Sequence, residues 1–212
     1  VVMIFPTIVY SVKSDKSRRH DSNTRSILES SSKRGFTLRN WKGMTMTAIR
    51  NRAVFASKID FTEAQRNDLI KVLNQQLADT ADLYSQAKQA HWNVKGLQFY
   101  SLHLLFDEVA LSIEPFVDTL AERVTTLGGV ALGTLRMAAQ DSSLPEFPTE
   151  PQTGEAYLKA LTERVAAYAA STRKASVGAA ELADPSTEDL FIEISRVADK
   201  QLYFLEAHLQ SE

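Results

Sequence analysis

From Leu69 to Ala90 the apolar side chains fall three or four positions apart, at Leu69, Ile70, Leu73, Leu77, Ala81, Tyr84, Ala87 and Ala90, and no Gly or Pro interrupts them. A strand would need a period of two, so this rhythm commits the stretch to a long amphipathic helix. Its limits are written beside it. Thr62 and Gln65 have capping-box spacing with Phe61 just ahead, and Gly96 is a natural stop, which predicts a helix over about 62–95.

The same punctuation divides the rest of the chain. A second helix is expected from about Phe99 to Leu127, ended by Gly128-Gly129. Pro115 inside it removes one backbone hydrogen bond and predicts a kink. A connection over about 130–152 follows, closed by Pro145, Pro148 and Pro151, with room for a short helix around Leu135–Gln140. A third helix covers about 154–182, Asp184-Pro185-Ser186 breaks and recaps the chain, and a fourth covers about 187–209. No strand pairs or hairpin turns compete. Four long helices with a long link between the second and third predict an all-α, ferritin-like four-helix bundle with one crossover, over residues 61–212.

Ahead of the bundle, residues 1–60 show no sustained helical period, and Ser, Arg, Lys, Asn and Thr dominate from Ser11 to Asn51. Charge divides at the same place. Residues 1–58 carry twelve Lys/Arg against three acids, a net of +9, whereas residues 59–212 carry twelve against twenty-three, a net of −11. The chain reads as a basic, disordered arm on an acidic body. Three readings of the arm compete: a nucleic-acid-binding tail, an Arg- and Ser-rich targeting peptide, or a stretch upstream of the true start, since Met44 and Met46 stand just ahead of the bundle.

The chain has no cysteine. Disulfides, zinc-thiolate sites, iron–sulfur clusters and thiol nucleophiles are therefore excluded. A metal would be held by His, carboxylate or backbone oxygen, a set suited to iron, manganese or zinc rather than copper(I). No apolar run approaches the ~20 residues a membrane-spanning helix needs, so no membrane partner is expected.

His91 lies late in the first helix, while His103 and Asp107, and again Asp118 and Glu122, are four apart on the second. Each i,i+4 pair shares a face. At ~100° per residue the four positions of the second helix fall within an arc of ~100°, one stripe. Residues 103 and 122 are nineteen apart, so ~28 Å of helix separates them. One ion cannot touch both ends. Either the two pairs serve separate purposes, or a second copy brings them together through an antiparallel two-fold pairing of second helices. Taken singly, each residue reads as an ordinary solvated or packing side chain. Their common stripe amid Leu102, Phe106, Val117 and Leu120 makes a cation a reasonable partner, beside the reading of a solvated helix face.

The stretch Ala90-His91-Trp92-Asn93-Val94-Lys95-Gly96, then Phe99, Leu102-His103, Phe106-Asp107-Glu108, Asp118-Thr119-Leu120-Ala121-Glu122-Arg123 and Leu127-Gly128-Gly129, closely resembles the Dps family, the mini-ferritins or DNA-binding proteins from starved cells. The resemblance covers roughly residues 62–209. It implies a four-helix subunit, a hollow dodecamer and a ferroxidase centre at the two-fold interface. His91, His103 and Asp107 would come from one subunit and Asp118 and Glu122 from its neighbour. It further implies ferrous iron as substrate, hydrogen peroxide as the preferred oxidant, and storage of Fe(III) in the shell. Ordinary ferritins place Glu-x-x-His motifs within one bundle; Glu206-Ala207-His208 has the wrong spacing for that.

Some roles stay open at this level. Trp92 either packs at the interface or intercepts a stray oxidising equivalent. Asp184, Glu188 and Asp189 either line an acidic pore, by analogy with the family, or complement a helix dipole. Two other functions compete with the ferroxidase. One is non-specific DNA condensation through the arms, which together form a multivalent cation. The other is a zinc- or manganese-binding shell without iron turnover, because the same ligands accept several divalent ions. The expected location is the cytoplasm, at the nucleoid if DNA is bound, or an organelle if residues 1–43 are a transit peptide.

Overall fold

The computed structural model describes residues 51–150 and 153–210. Among them are six α-helices and no strand: α1 Glu63–Asn93, α2 Phe99–Ile113, α3 Pro115–Thr126, α4 Leu135–Asp141, α5 Gly154–Glu181 and α6 Pro185–Ala207. Most of the basic stretch, with Met44 and Met46, lies outside the described residues.

The helix starts follow from local chemistry. Thr62 accepts the Gln65 N–H while the Gln65 side chain accepts the Thr62 N–H, which satisfies two donors that the first turn of α1 cannot. Thr134 and Thr153 cap α4 and α5 in the simpler way. Asp184 caps α6, accepting the Ser186 and Thr187 N–H groups, with Pro185 in the first turn where its missing N–H costs nothing.

The expected second helix is two helices. Pro115 has no N–H to offer, and the Val117 N–H bonds to Glu114 only three residues back. Glu114 keeps helical dihedrals (φ −49°, ψ −45°), so α3 continues where α2 stops, across an interrupted hydrogen-bond ladder.

Four rods pack around one apolar core: α1, α2 with α3, α5, and α6. Cross-links fix their directions. Gln65 reaches the Leu182 carbonyl and Thr80 meets the Tyr168 hydroxyl, so α1 and α5 are antiparallel. His91 meets His103 at one end and Arg66 meets Leu127 at the other, so α1 and α2–α3 are antiparallel too. Leu73, Leu77, Phe106, Leu120, Val165 and Phe191 have no exposed surface. Burying each such side chain contributes ~1.5–3 kcal/mol before chain entropy is charged against it.

The crossover from α3 to α5 is strapped to α1 by polar side chains that a simple amphipathic pattern assigns to solvent. Asn74 takes the Leu132 N–H and donates to the Val130 carbonyl; Gln75 donates to Asp141; Asp79 accepts the Ser143 N–H and hydroxyl; Gln86 donates to Pro145. Asp79 is fully buried, and burial pushes its carboxyl above the usual range despite the hydrogen bonds from Ser143 and Gln75 that oppose the shift. From the α5 side, Arg164 donates to the Glu146 carbonyl at 2.6 Å.

Residues 51–60, which the sequence reading places in the arm, are laid on the bundle. The Val54 and Phe55 N–H groups donate to the Gly128 carbonyl, and Ala53 donates to Asn67. Gly128 sits at φ +83°, and a Cβ there would stand 2.4 Å from the Phe55 carbonyl oxygen. Both facts demand glycine.

Candidate metal centre

α1 ends, and α2 begins, beside two histidines that hold each other. His91 Nδ1 lies 2.7 Å from the His103 carbonyl oxygen, and His103 Nδ1 lies 2.9 Å from the His91 carbonyl oxygen. A carbonyl can only accept, so each Nδ1 carries the hydrogen, and in the neutral ring the lone pair is left on Nε2. The His91 carbonyl belongs to the last turn of α1, where main-chain acceptors lack helical partners, so His103 also serves as a side-chain cap. The rings stack with centroids 3.7 Å apart and planes 19° from parallel. Phe99 flanks His103 with ring centroids 5.0 Å apart. Both imidazoles are thus locked in tautomer and orientation, with Nε2 of each the nitrogen left for a ligand.

Asp107, one turn beyond His103, joins this cluster. Its Oδ1 is 3.9 Å from His91 Nδ1 and 2.5 Å from the Lys88 ammonium. The hydrogen bond from Lys88 holds the Asp107 carboxyl below the usual carboxylate range. Lys88 is a participant that the sequence reading missed. The available signal was its position three residues before His91, on the same face of α1.

Asp118 and Glu122 stand elsewhere. Both lie on α3, exposed, and among the described residues neither side chain has a partner. The described residues contain no group of three or more His, Asp or Glu close enough to hold one metal ion. One chain therefore brings together His91, His103 and Asp107 and leaves Asp118 and Glu122 apart, at the far end of the same rod. Along the same rod α2 exposes Tyr100 (70 %) and Leu104 (49 %) beside His103 and Asp107, and Leu111 (57 %) between the two groups. At ~100° per residue these three fall on the same stripe as Asp107, Asp118 and Glu122.

A family model described as the Ferritin-like domain matches residues 70–212. The chain is 41 % identical over 156 residues to a DNA protection during starvation protein of Agrobacterium fabrum, spanning 74 % of this chain and 96 % of that one. The chain belongs to the Dps family. A second Dps relative, the DNA protection during starvation protein of Mycolicibacterium smegmatis, is 31 % identical over 150 residues, 71 % of this chain and 81 % of its own. Among solved Dps structures, DpsC from Streptomyces coelicolor superposes with a TM-score of 0.73 at 31 % identity, over 80 % of this chain and 98 % of that one. Dps from Mycobacterium smegmatis gives 0.71 at 29 % identity, over 74 % and 94 %. The ferritin-like fold expected from helix spacing is thus the fold of a Dps subunit.

Two further details of this Dps chain bear on residues singled out from sequence. Trp92 is exposed, with the Lys88 ammonium 5.9 Å from its ring centroid. Asp184 is only 1 % exposed and does not line an open acidic surface, because the Arg123 guanidinium covers it with Nη2 contacts of 2.8 and 2.7 Å. Glu188 and Asp189 are respectively half-buried and exposed on the first turns of α6.

Proposed function

We propose that this Dps family member is a ferroxidase and iron store, with each reaction centre shared between two copies of the chain in a dodecameric shell. One observation carries the reading. Two histidines with fixed tautomers and an Asp107 held by Lys88 stand at one end of the α2–α3 rod, two unpartnered carboxylates stand at the other, and exposed apolar side chains lie along the same stripe. Large exposed apolar side chains on one helix face mark an interface. An antiparallel two-fold contact along that stripe sets His91, His103 and Asp107 of one copy against Asp118 and Glu122 of the next.

The chemistry follows from the donor set. Imidazole and carboxylate suit Fe(II), and an acidic body favours cations. Hydrogen peroxide accepts two electrons, one from each of two Fe(II) ions. Its O–O bond breaks, its oxygens leave as water or pass into ferric oxyhydroxide, and hydrolysis of Fe(III) releases protons. Delivering both electrons together avoids a free hydroxyl radical, which is the protective outcome. Zinc or manganese would fit the same ligands without turnover.

The test is anaerobic Fe(II) added to metal-free protein, followed by peroxide, with ferric absorbance recorded. Fast oxidation that is lost when Asp118→Ala and Glu122→Ala are combined, in shells that still assemble, supports the reading. Equal slow rates in both would reject it.

A DNA-binding role rests on a separate observation, the net +9 of residues 1–58 against −11 in the remainder. Phosphate binding of this kind weakens steeply with salt. A gel shift that survives removal of residues 1–50 would refute a role for the arm. We place the protein in the cytoplasm, near the nucleoid when DNA is bound.

A further inference from the structure

We propose that Arg123 is a positioning residue: seated on Asp184 and Thr187 at the start of α6, it fixes the rotation of α3 and so aims Asp118 and Glu122 at the neighbouring copy. The inference rests on the shared-centre reading and adds to it what holds the carboxylate half in register.

Pro115 cuts α3 from the hydrogen-bond ladder of α2, and Val117 bonds back by three residues rather than four. The helical phase of α2, where His103 and Asp107 sit, is therefore not carried rigidly into α3. On its inner face α3 offers Phe116, Leu120 and Val124, all buried. The hydrophobic driving force is non-directional, so these three side chains stay buried through a small turn of the helix about its axis. On its outer face Asp118 and Glu122 touch nothing that could hold them.

Arg123 supplies the missing direction. Its Nε donates to Thr187 Oγ1 at 2.9 Å, and its Nη2 spans both Asp184 oxygens. The base under this fork does not move with α3. Asp184 accepts from the Ser186 and Thr187 N–H groups and from the Thr187 hydroxyl, all on α6. A planar guanidinium held at two edges resists twisting as an ammonium cannot. Arg66, donating to the Leu127 carbonyl at 3.3 Å, holds the end of the rod but lies beyond the last turn of α3.

The lever is long enough to matter. A carboxylate rides ~6 Å from its helix axis, so a 10° turn of α3 moves it by ~1 Å. Displacements of that size can cost ~100-fold in rate.

The test uses the full-length shell with Arg123→Lys, which keeps a cation beside Asp184 but loses the fork. Three measurements run together: oligomeric state, peroxide-driven oxidation over a range of Fe(II), and the anaerobic visible spectrum of bound Co(II), which reports ligand number without turnover. The expected result is an intact shell whose rate at saturating Fe(II) falls ~10–100-fold. Its Co(II) spectrum should move towards that of the combined Asp118→Ala, Glu122→Ala variant. If Arg123→Lys does not assemble, Thr187→Val, which removes the Nε acceptor and the hydroxyl bond to Asp184 but leaves the Arg123–Asp184 contact, should show the same changes in smaller measure. An assembled variant with native rate and native Co(II) spectrum overturns the positioning role. If the native protein and the combined carboxylate variant are alike in both readouts, the shared-centre reading falls and this inference with it.

Discussion

At the residue scale the decisive feature is the pair of histidines that spend their Nδ1 hydrogens on each other's carbonyl groups. This arrangement was only half legible. The four-residue spacing of His103 and Asp107 put them on one face, and the family resemblance grouped His91 with them. No spacing rule reveals a reciprocal clamp across a loop, or that Lys88 would reach Asp107. Lys88 now makes a specific prediction. A metal ion at this half-site must displace the ammonium from Asp107, so Lys88→Met should tighten divalent-ion binding roughly tenfold, as read by anaerobic calorimetry. Weaker binding would mean instead that Lys88 holds Asp107 in its binding pose. Gly128 is the second residue with a sharp consequence. Gly128→Ala forces a left-handed backbone on a residue with a Cβ and drives that Cβ into the Phe55 carbonyl. The expected cost is about 2–3 kcal/mol, visible as a fall of several degrees in Tm.

Single elements were the most readable level. Helix limits are local chemistry: the Thr62–Gln65 box, Gly96, the Gly128 turn and Asp184-Pro185 lie within a few residues of the ends they set. A kink at Pro115 was readable for the same reason, although the split into two helices was not. The crossover was not, because Asn74, Asp79 and Gln86 look like solvated positions on α1 until a strand of loop covers them. Nor was the Arg123–Asp184 pair, whose members are separated by 61 residues. That pair joins two elements through charge and should respond to acid. Burial alone would raise the Asp184 carboxyl, but hydrogen bonds from Thr187 and Arg123 outweigh it and hold the group below its ordinary value of 3.8. A depressed carboxylate contributes stability that is fully present above the unfolded value and fades as pH falls through the folded one. The Tm difference between the native protein and Asp184→Asn should therefore be largest near neutrality and shrink below about pH 4. A constant gap down to pH 2 would contradict the shift.

For the whole molecule, the shared centre predicts complementation. Shells reassembled from His103→Ala subunits mixed with subunits carrying Asp118→Ala and Glu122→Ala contain some interfaces in which one of the two centres has every ligand. Each variant alone has none. Activity appearing only in the mixture, at roughly a quarter of native if pairing is random, is the expected outcome. Silence in a mixture shown to contain both chains would place the ligands within one subunit. The stacked imidazoles have a stoichiometric consequence as well. An ion about 2.1 Å from a ring nitrogen lies close to that ring's plane. With planes nearly parallel and 3.7 Å between centroids, no single ion can lie in both. While the stack stands, each imidazole must address its own ion, a spacing close to the ~3.5–4 Å of two-metal sites. Anaerobic titration should therefore saturate at two ions per centre, whereas saturation at one would mean that the histidine stack opens on binding.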